Sequence, residues 1–102
     1  MDRMTPCLEM TAAQFAEVTA LLARHLPDTE VWAYGSRAAF RARPQSDLDL
    51  VVLATPEQRE AVCALREAFE ESTLPFRVDV LVWDDMPETF RANVLRGKVR
   101  IR

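Results

Sequence analysis

Histidine is almost absent from this chain: His25 stands alone among 102 residues. Cysteine is scarce too, at Cys7 and Cys63, which lie far apart and form no CxxC pair. One histidine and two distant thiols compose no zinc site at any usual spacing. The simplest reading is two reduced thiols in a cytoplasmic chain and a helix-end histidine with no special role. No stretch approaches the roughly 18 apolar residues that a membrane helix needs. The opening MDRMTPCLEM lacks the basic flank and long apolar core of a signal peptide. Excess positive charge is also missing. The net charge is -3, which argues against a protein that coats nucleic acid, so no direct nucleic-acid contact is expected.

What is present is globular in character, with 49% hydrophobic and 28% charged residues. The length fits one domain, expected over residues 1–102. A chain of this size buries only about 60–68% of the surface its unfolded form exposes, enough for one modest core.

The hydrophobic periods give the element order. Thr11 with Gln14 three residues on is a capping box, and Phe15, Val18, Leu22 and Leu26 recur at helical spacing before Pro27. A helix is therefore expected over 11–26. Residues 30–34 read as a short strand halted at Gly35. Residues 36–46 are polar, arginine-rich and contain Pro44, as a loop or short helix would be. LDLVVL, 48–53, is a strand apolar on both faces beyond Asp49, as a central strand covered on each side would be. Thr55-Pro56 opens a second helix running to about 72, with Val62, Leu65 and Phe69 inward. RVDVLVW, 77–83, is a third strand. Pro87 opens a last helix with Gly97 at its C-cap position, and KVRI makes a short final strand. The fold class is α/β (α+β), a single mixed sheet with helices packed on it.

Two short stretches carry chemistry. Asp47 and Asp49 lie two positions apart, so on a strand both point the same way. Two such close carboxylates repel, and a divalent cation removes the conflict. Mg²⁺ prefers hard oxygen ligands and commonly takes one or two carboxylates plus substrate phosphates. Asp79 stands alone in an apolar strand, where an unpartnered charge is costly. If strands 48–53 and 77–83 are neighbours, three carboxylates face one site. Gly35-Ser36 ends the first strand. Its backbone can approach a phosphate closely, Ser36 adds a hydroxyl, and a short helix starting there would favour anions. Arg37, Arg41 and Arg43 add positive charge, and Arg37, next to the Gly-Ser, is the one expected to touch phosphate. A phosphate cradle beside a metal cage suits phosphoryl or nucleotidyl transfer.

Gly35-Ser36, ten residues, then Asp47-Leu48-Asp49, with Asp79 later on a strand, resembles the signature of the DNA polymerase β-like nucleotidyltransferase superfamily. The short length and element order resemble the minimal nucleotidyltransferase (MNT) proteins, antitoxin partners of HEPN-domain toxins, which are usually ribonucleases. The resemblance implies a nucleotidyltransferase fold and roles residue by residue. Gly35 and Ser36 would hold the triphosphate of ATP. Asp47 and Asp49 would bind two Mg²⁺ ions. Asp79 would bind the catalytic ion and help deprotonate the acceptor hydroxyl, in some members a tyrosine of the toxin. It also implies a hetero-oligomer with that toxin. After Gly-Ser-Arg-Ala the family pattern continues with a basic residue and a glycine, where this chain has Ala39 and Phe40. Phenylalanine does not adopt positive φ cheaply.

The expected activity is transfer of AMP from ATP to a partner's hydroxyl. The alternatives are an antitoxin that neutralises by covering its toxin, and a nucleotidyltransferase acting on a small molecule or RNA. The last ranks lowest, because the chain is short for the extra helical domain such acceptors usually need. Trp32, Tyr34 and Trp83 read as core or partner-facing, and Glu67, Glu70 and Glu71 as a wet helix face.

Overall fold

The computed structural model describes residues 8–102. Cys7 lies outside them, while Cys63 is an exposed free thiol. The elements in chain order are α1 (Ala12–His25), β1 (Val31–Tyr34), β2 (Leu48–Val52), α2 (Arg59–Glu70), β3 (Val78–Val82), α3 (Glu88–Gly97) and β4 (Val99–Arg100). The strands form one sheet in the order β3-β2-β1-β4. β2 pairs parallel with β3, and β1 pairs antiparallel with both β2 and β4. The sheet is thus mixed, with β2 in its interior, as its two apolar faces require.

α1 begins as its sequence dictates. The Thr11 hydroxyl accepts from the Gln14 amide at 3.1 Å, and Gln14 Oε1 accepts from the Thr11 amide at 3.0 Å. These bonds satisfy two donors that a helix start otherwise leaves unpaired. Val18, Leu22 and Leu26 are fully buried against one sheet face. That face also receives Val62, Leu65 and Phe69 of α2, and it presents Val31, Ala33, Leu48, Leu50, Val52 and Val80. Truncating such a side chain, as in Leu22→Ala, costs about 2–5 kcal/mol, a large share of a small domain's stability. The opposite face carries a smaller cluster of Trp32, Val51, Met86 and Val94, so α3 covers this side. The Trp32 and Trp83 rings meet edge to face at 5.2 Å within it.

Several boundaries differ from expectation. The second helix divides into a 3₁₀ turn, Pro56–Gln58, and α2 proper, which ends at Glu70. The third strand stops at Val82, because Trp83–Asp85 turns back as a 3₁₀ segment. Gly97 is the last residue of α3 and has no left-handed backbone. The chain leaves through Lys98 in extended conformation, so no left-handed cap is needed there. Residues 36–40 are a turn rather than a helix. The Ala39 amide donates to the Gly35 carbonyl at 3.0 Å and the Arg41 amide to the Ser36 carbonyl at 2.8 Å. Phe40 then adopts φ 56, a left-handed conformation of the kind that ends a helical turn. The position where the family pattern carries glycine therefore keeps a glycine-like backbone despite its aromatic side chain.

Candidate active site

β1 delivers the chain to Gly35, whose φ is +81. A Cβ built at Gly35 would lie 2.6 Å from Asp49 Oδ2. Glycine is needed here twice over, for its backbone conformation and because a carboxylate lies against it. The closing turn of the first strand and the acid of the second are thereby brought into contact.

Register does the rest. Tyr34 is the partner of Asp49 across β1 and β2, and Asp49 is the partner of Asp79 across β2 and β3. Adjacent strands lie about 4.8 Å apart, so Tyr34, Asp49 and Asp79 form a row on one face of the sheet. It is the face on which α3 packs, because the alternate residues Leu48, Leu50 and Val80 belong to the core under α1 and α2. Asp47, exposed and two residues ahead of Asp49, precedes the strand at the same end.

The electrostatics record this crowding. Burial, then the charges of Asp79 and Asp47, push the Asp49 carboxyl up from 3.8 to about 6. Burial, then the charges of Asp49 and Asp79, push the Tyr34 phenol up to about 12. Asp79 is partly relieved by Arg77, whose guanidinium approaches its Oδ1 at 2.9 Å. Both side chains of this pair are solvated, so it contributes only about 0–1 kcal/mol.

Among the described residues no three His, Cys, Asp or Glu side chains are already gathered closely enough to enclose an ion. The donor set nonetheless fits Mg²⁺. Its atoms are hard carboxylate oxygens on rigid strands, and a cation would favour the Asp49 charge that burial, Asp79 and Asp47 disfavour. Asp47 and Asp49 would hold the ions with Asp79, once Asp79 exchanges Arg77 for metal.

Arg37 is held by its surroundings. Only 5% exposed, it donates through Nε to the Ser46 carbonyl at 2.9 Å and through one terminal nitrogen to the Glu9 carbonyl at 2.7 Å. The other terminal nitrogen donates to the carbonyls of Pro44 at 3.0 Å and Arg43 at 3.4 Å. Its guanidinium stacks 4.0 Å from the centroid of the Phe76 ring. The side chain is committed to backbone carbonyls, and a phosphate contact would have to break these bonds. Arg41 and Arg43 are exposed, in keeping with a solvated loop. Sequence reasoning also passed over Tyr34 and Arg77. Arg77 had a visible signal, since it precedes Asp79 by two positions and so shares its face. Tyr34 had none, because the loop of 13 residues between β1 and β2 does not set the register.

Residues 17–101 match the family described as polymerase beta, nucleotidyltransferase. The chain belongs to this nucleotidyltransferase family. It is 42% identical over 96 residues to a Haemophilus influenzae protein named probable protein adenylyltransferase MntA, covering 93% of this chain and 84% of that protein. A solved structure described as a minimal nucleotidyltransferase is 32% identical, with a TM-score of 0.68, and the match covers 87% of this chain and 90% of that one. A complex of a tri-AMPylated Shewanella oneidensis HEPN toxin with its MNT antitoxin shares the fold at 17% identity and a TM-score of 0.54, covering 86% of this chain and 68% of that one. The mixed sheet with helices on both faces is thus the nucleotidyltransferase fold of its relatives. Among the described residues, no helix is long and apolar enough to cross a membrane.

Proposed function

We propose that this nucleotidyltransferase is a single-domain antitoxin that transfers AMP from ATP to a hydroxyl, a tyrosine in the favoured form, of a partner HEPN-domain toxin. The observation that carries this reading is the contact between the Gly35 backbone and the Asp49 carboxylate, with Asp79 beside it in register. The 42% identity to a protein adenylyltransferase supports the reaction type, and the shared fold of an MNT antitoxin supports the partner class.

Gly35 and Ser36 hold the triphosphate, where backbone can come close and a hydroxyl can donate. Asp47 and Asp49 would hold Mg²⁺, two ions in this reading, with Asp79 as a further carboxylate ligand. Bound there, the ions would offset the phosphate charge and polarise the α-phosphorus. The acceptor oxygen attacks the α-phosphorus, its new P–O bond forms as the bond to the β-phosphate bridge breaks, and pyrophosphate leaves. Asp79 takes the acceptor proton and releases it to solvent. A groove of about 530 Å³ runs along the edge of β3 between that strand and α2, with Asp79 and Arg77 on its β3 wall and Arg66 and Phe69 on its α2 wall. The cytoplasm, where ATP and reduced thiols coexist, is the compartment this reading requires.

The test incubates the purified protein with its toxin, ATP and Mg²⁺ and weighs the toxin. A gain of one or more AMP masses is expected. Asp47→Ala with Asp49→Ala should abolish the gain and the neutralisation while the complex still forms. Neutralisation that survives this double change would mean the protein acts by covering its toxin.

A further inference from the structure

We propose that Arg37 is a positioning residue that sets the Gly35-Ser36 cradle against the carboxylates of Asp47 and Asp79, an inference that rests on the function proposed above. Among the described residues no Asp or Glu lies within ion-pair distance of its buried guanidinium. Burial disfavours its charge, the more distant charges of Glu9 and Asp47 favour it, and such a cation is costly to assemble, so its direct partners indicate what it is for. They are not scattered. Arg37 follows the cradle directly in the chain. Its Nε holds the carbonyl of Ser46, the residue immediately before Asp47. Its ring partner, Phe76, lies three residues before Asp79 on the approach to β3. One residue thus ties the chain leaving β1 to the segments that lead into β2 and β3.

The rest of the loop is arranged round it. The Arg37 carbonyl accepts from the Glu9 amide at 2.8 Å, and Glu9 Oε1 accepts from the Ala42 amide at 2.9 Å. The Ser46 hydroxyl accepts from the Arg43 amide at 2.8 Å. Residues 36–46, of which Ala38 packs against the main core, therefore wrap the guanidinium. Its planar fork of five donors suits this fan of carbonyls, whereas a lysine ammonium offers three donors from one point.

Two variants of the full chain test the assignment, Arg37→Lys and Arg37→Ala, each measured with the toxin, ATP and Mg²⁺. Since a misplacement of about 1 Å costs on the order of 100-fold in rate, Arg37→Lys should lower kcat at least tenfold per folded molecule. KM for ATP should change less than about threefold, because the cradle itself is intact. Low millimolar guanidinium should restore part of the activity of Arg37→Ala. In both variants the amides of residues 38–46 should exchange with solvent at least tenfold faster, with β2 unaffected. Unchanged kcat per folded molecule, or unchanged loop exchange, overturns the proposal. A raised KM for ATP at constant kcat also overturns it and makes Arg37 a phosphate ligand. If the wild-type protein transfers no AMP, the proposed function fails, and loop exchange alone then decides for or against Arg37. Should Arg37→Ala not fold, Arg37→Lys decides.

Discussion

Asp49 lies in register with Asp79 across the parallel pair β2 and β3, both carboxylates on the face that α3 covers. This juxtaposition makes the site unstable in its own fold. Asp49 titrates near 6 in place of 3.8, chiefly because it is buried and then because Asp79 and Asp47 repel its charge. A raised carboxyl pKa means the folded state favours the protonated form. That contribution is complete below about 3.8 and is lost as pH rises through about 6. Metal-free protein should therefore lose stability across this window. Asp49→Asn should melt higher than wild type at pH 7 and equal to it near pH 4, while being inactive. The full shift corresponds to about 3 kcal/mol, and solvent screening of this half-exposed group reduces it to about 1 kcal/mol. Thermal melts of both proteins in chelator at several pH values provide the measurement. Parallel curves would show that the fold does not favour the protonated Asp49 carboxyl.

Gly35→Ala meets two obstacles at once. The left-handed backbone costs a non-glycine residue about 1–2 kcal/mol, and the added Cβ would drive Asp49 Oδ2 from its place. The variant should lose about 1–3 kcal/mol of stability and at least tenfold in transfer rate. Ser36→Ala serves as the contrast, since it keeps the backbone. It should melt within about 0.5 kcal/mol of wild type and bind ATP more weakly. Chemical melts and nucleotide titrations separate the two. A Gly35→Ala protein with full activity would remove the contact on which the site is built.

Phe40 bears strain that the loop does not require. Its φ is 56, yet its ring is 51% exposed and gains little from burial. Phe40→Gly should raise stability by about 0.5–1 kcal/mol, the left-handed penalty less the extra freedom of glycine in the unfolded chain. A denaturant titration with unchanged slope and a higher midpoint would confirm it. A lower midpoint would show that the ring holds the loop in place.

Much of this could be read along the chain because it depends on neighbours in sequence. The Thr11–Gln14 box, the inward faces of α1 and α2 and the alternation of LDLVV follow from local spacing, and they imply a mixed sheet with a covered central strand. Asp47 and Asp49 drew notice for the same reason, two acids at the head of an apolar run. What stayed hidden depends on tertiary neighbours. Arg37 looked like a phosphate ligand because it follows Gly-Ser, and only the folded loop reveals that four carbonyls claim its guanidinium. Tyr34 entered the carboxylate row through a register that no local pattern specifies. Phe40 is a residue for which positive φ is costly, and the folded turn nonetheless holds it at φ 56.

On the proposed function, Arg77 and a metal ion would compete for Asp79. The ion pair at 2.9 Å is solvated on both sides, 75% and 34% exposed, so breaking it should change stability by less than about 1 kcal/mol. Its effect on the site should be larger. A cation that must displace a guanidinium binds more weakly than one meeting a free carboxylate, and the positive charge itself opposes its approach. Arg77→Gln should therefore leave the melting curve of metal-free protein nearly unmoved. It should lower the Mg²⁺ concentration needed for half-maximal transfer, by about two- to tenfold at low ionic strength, with the difference shrinking as salt screens the charge. Mg²⁺ with ATP should also raise the melting temperature of the variant more than that of wild type at equal concentrations. A magnesium requirement unchanged by Arg77→Gln would mean that Asp79 does not bind the ion, and the share of the metal site given to it would fall to Asp47 and Asp49 alone.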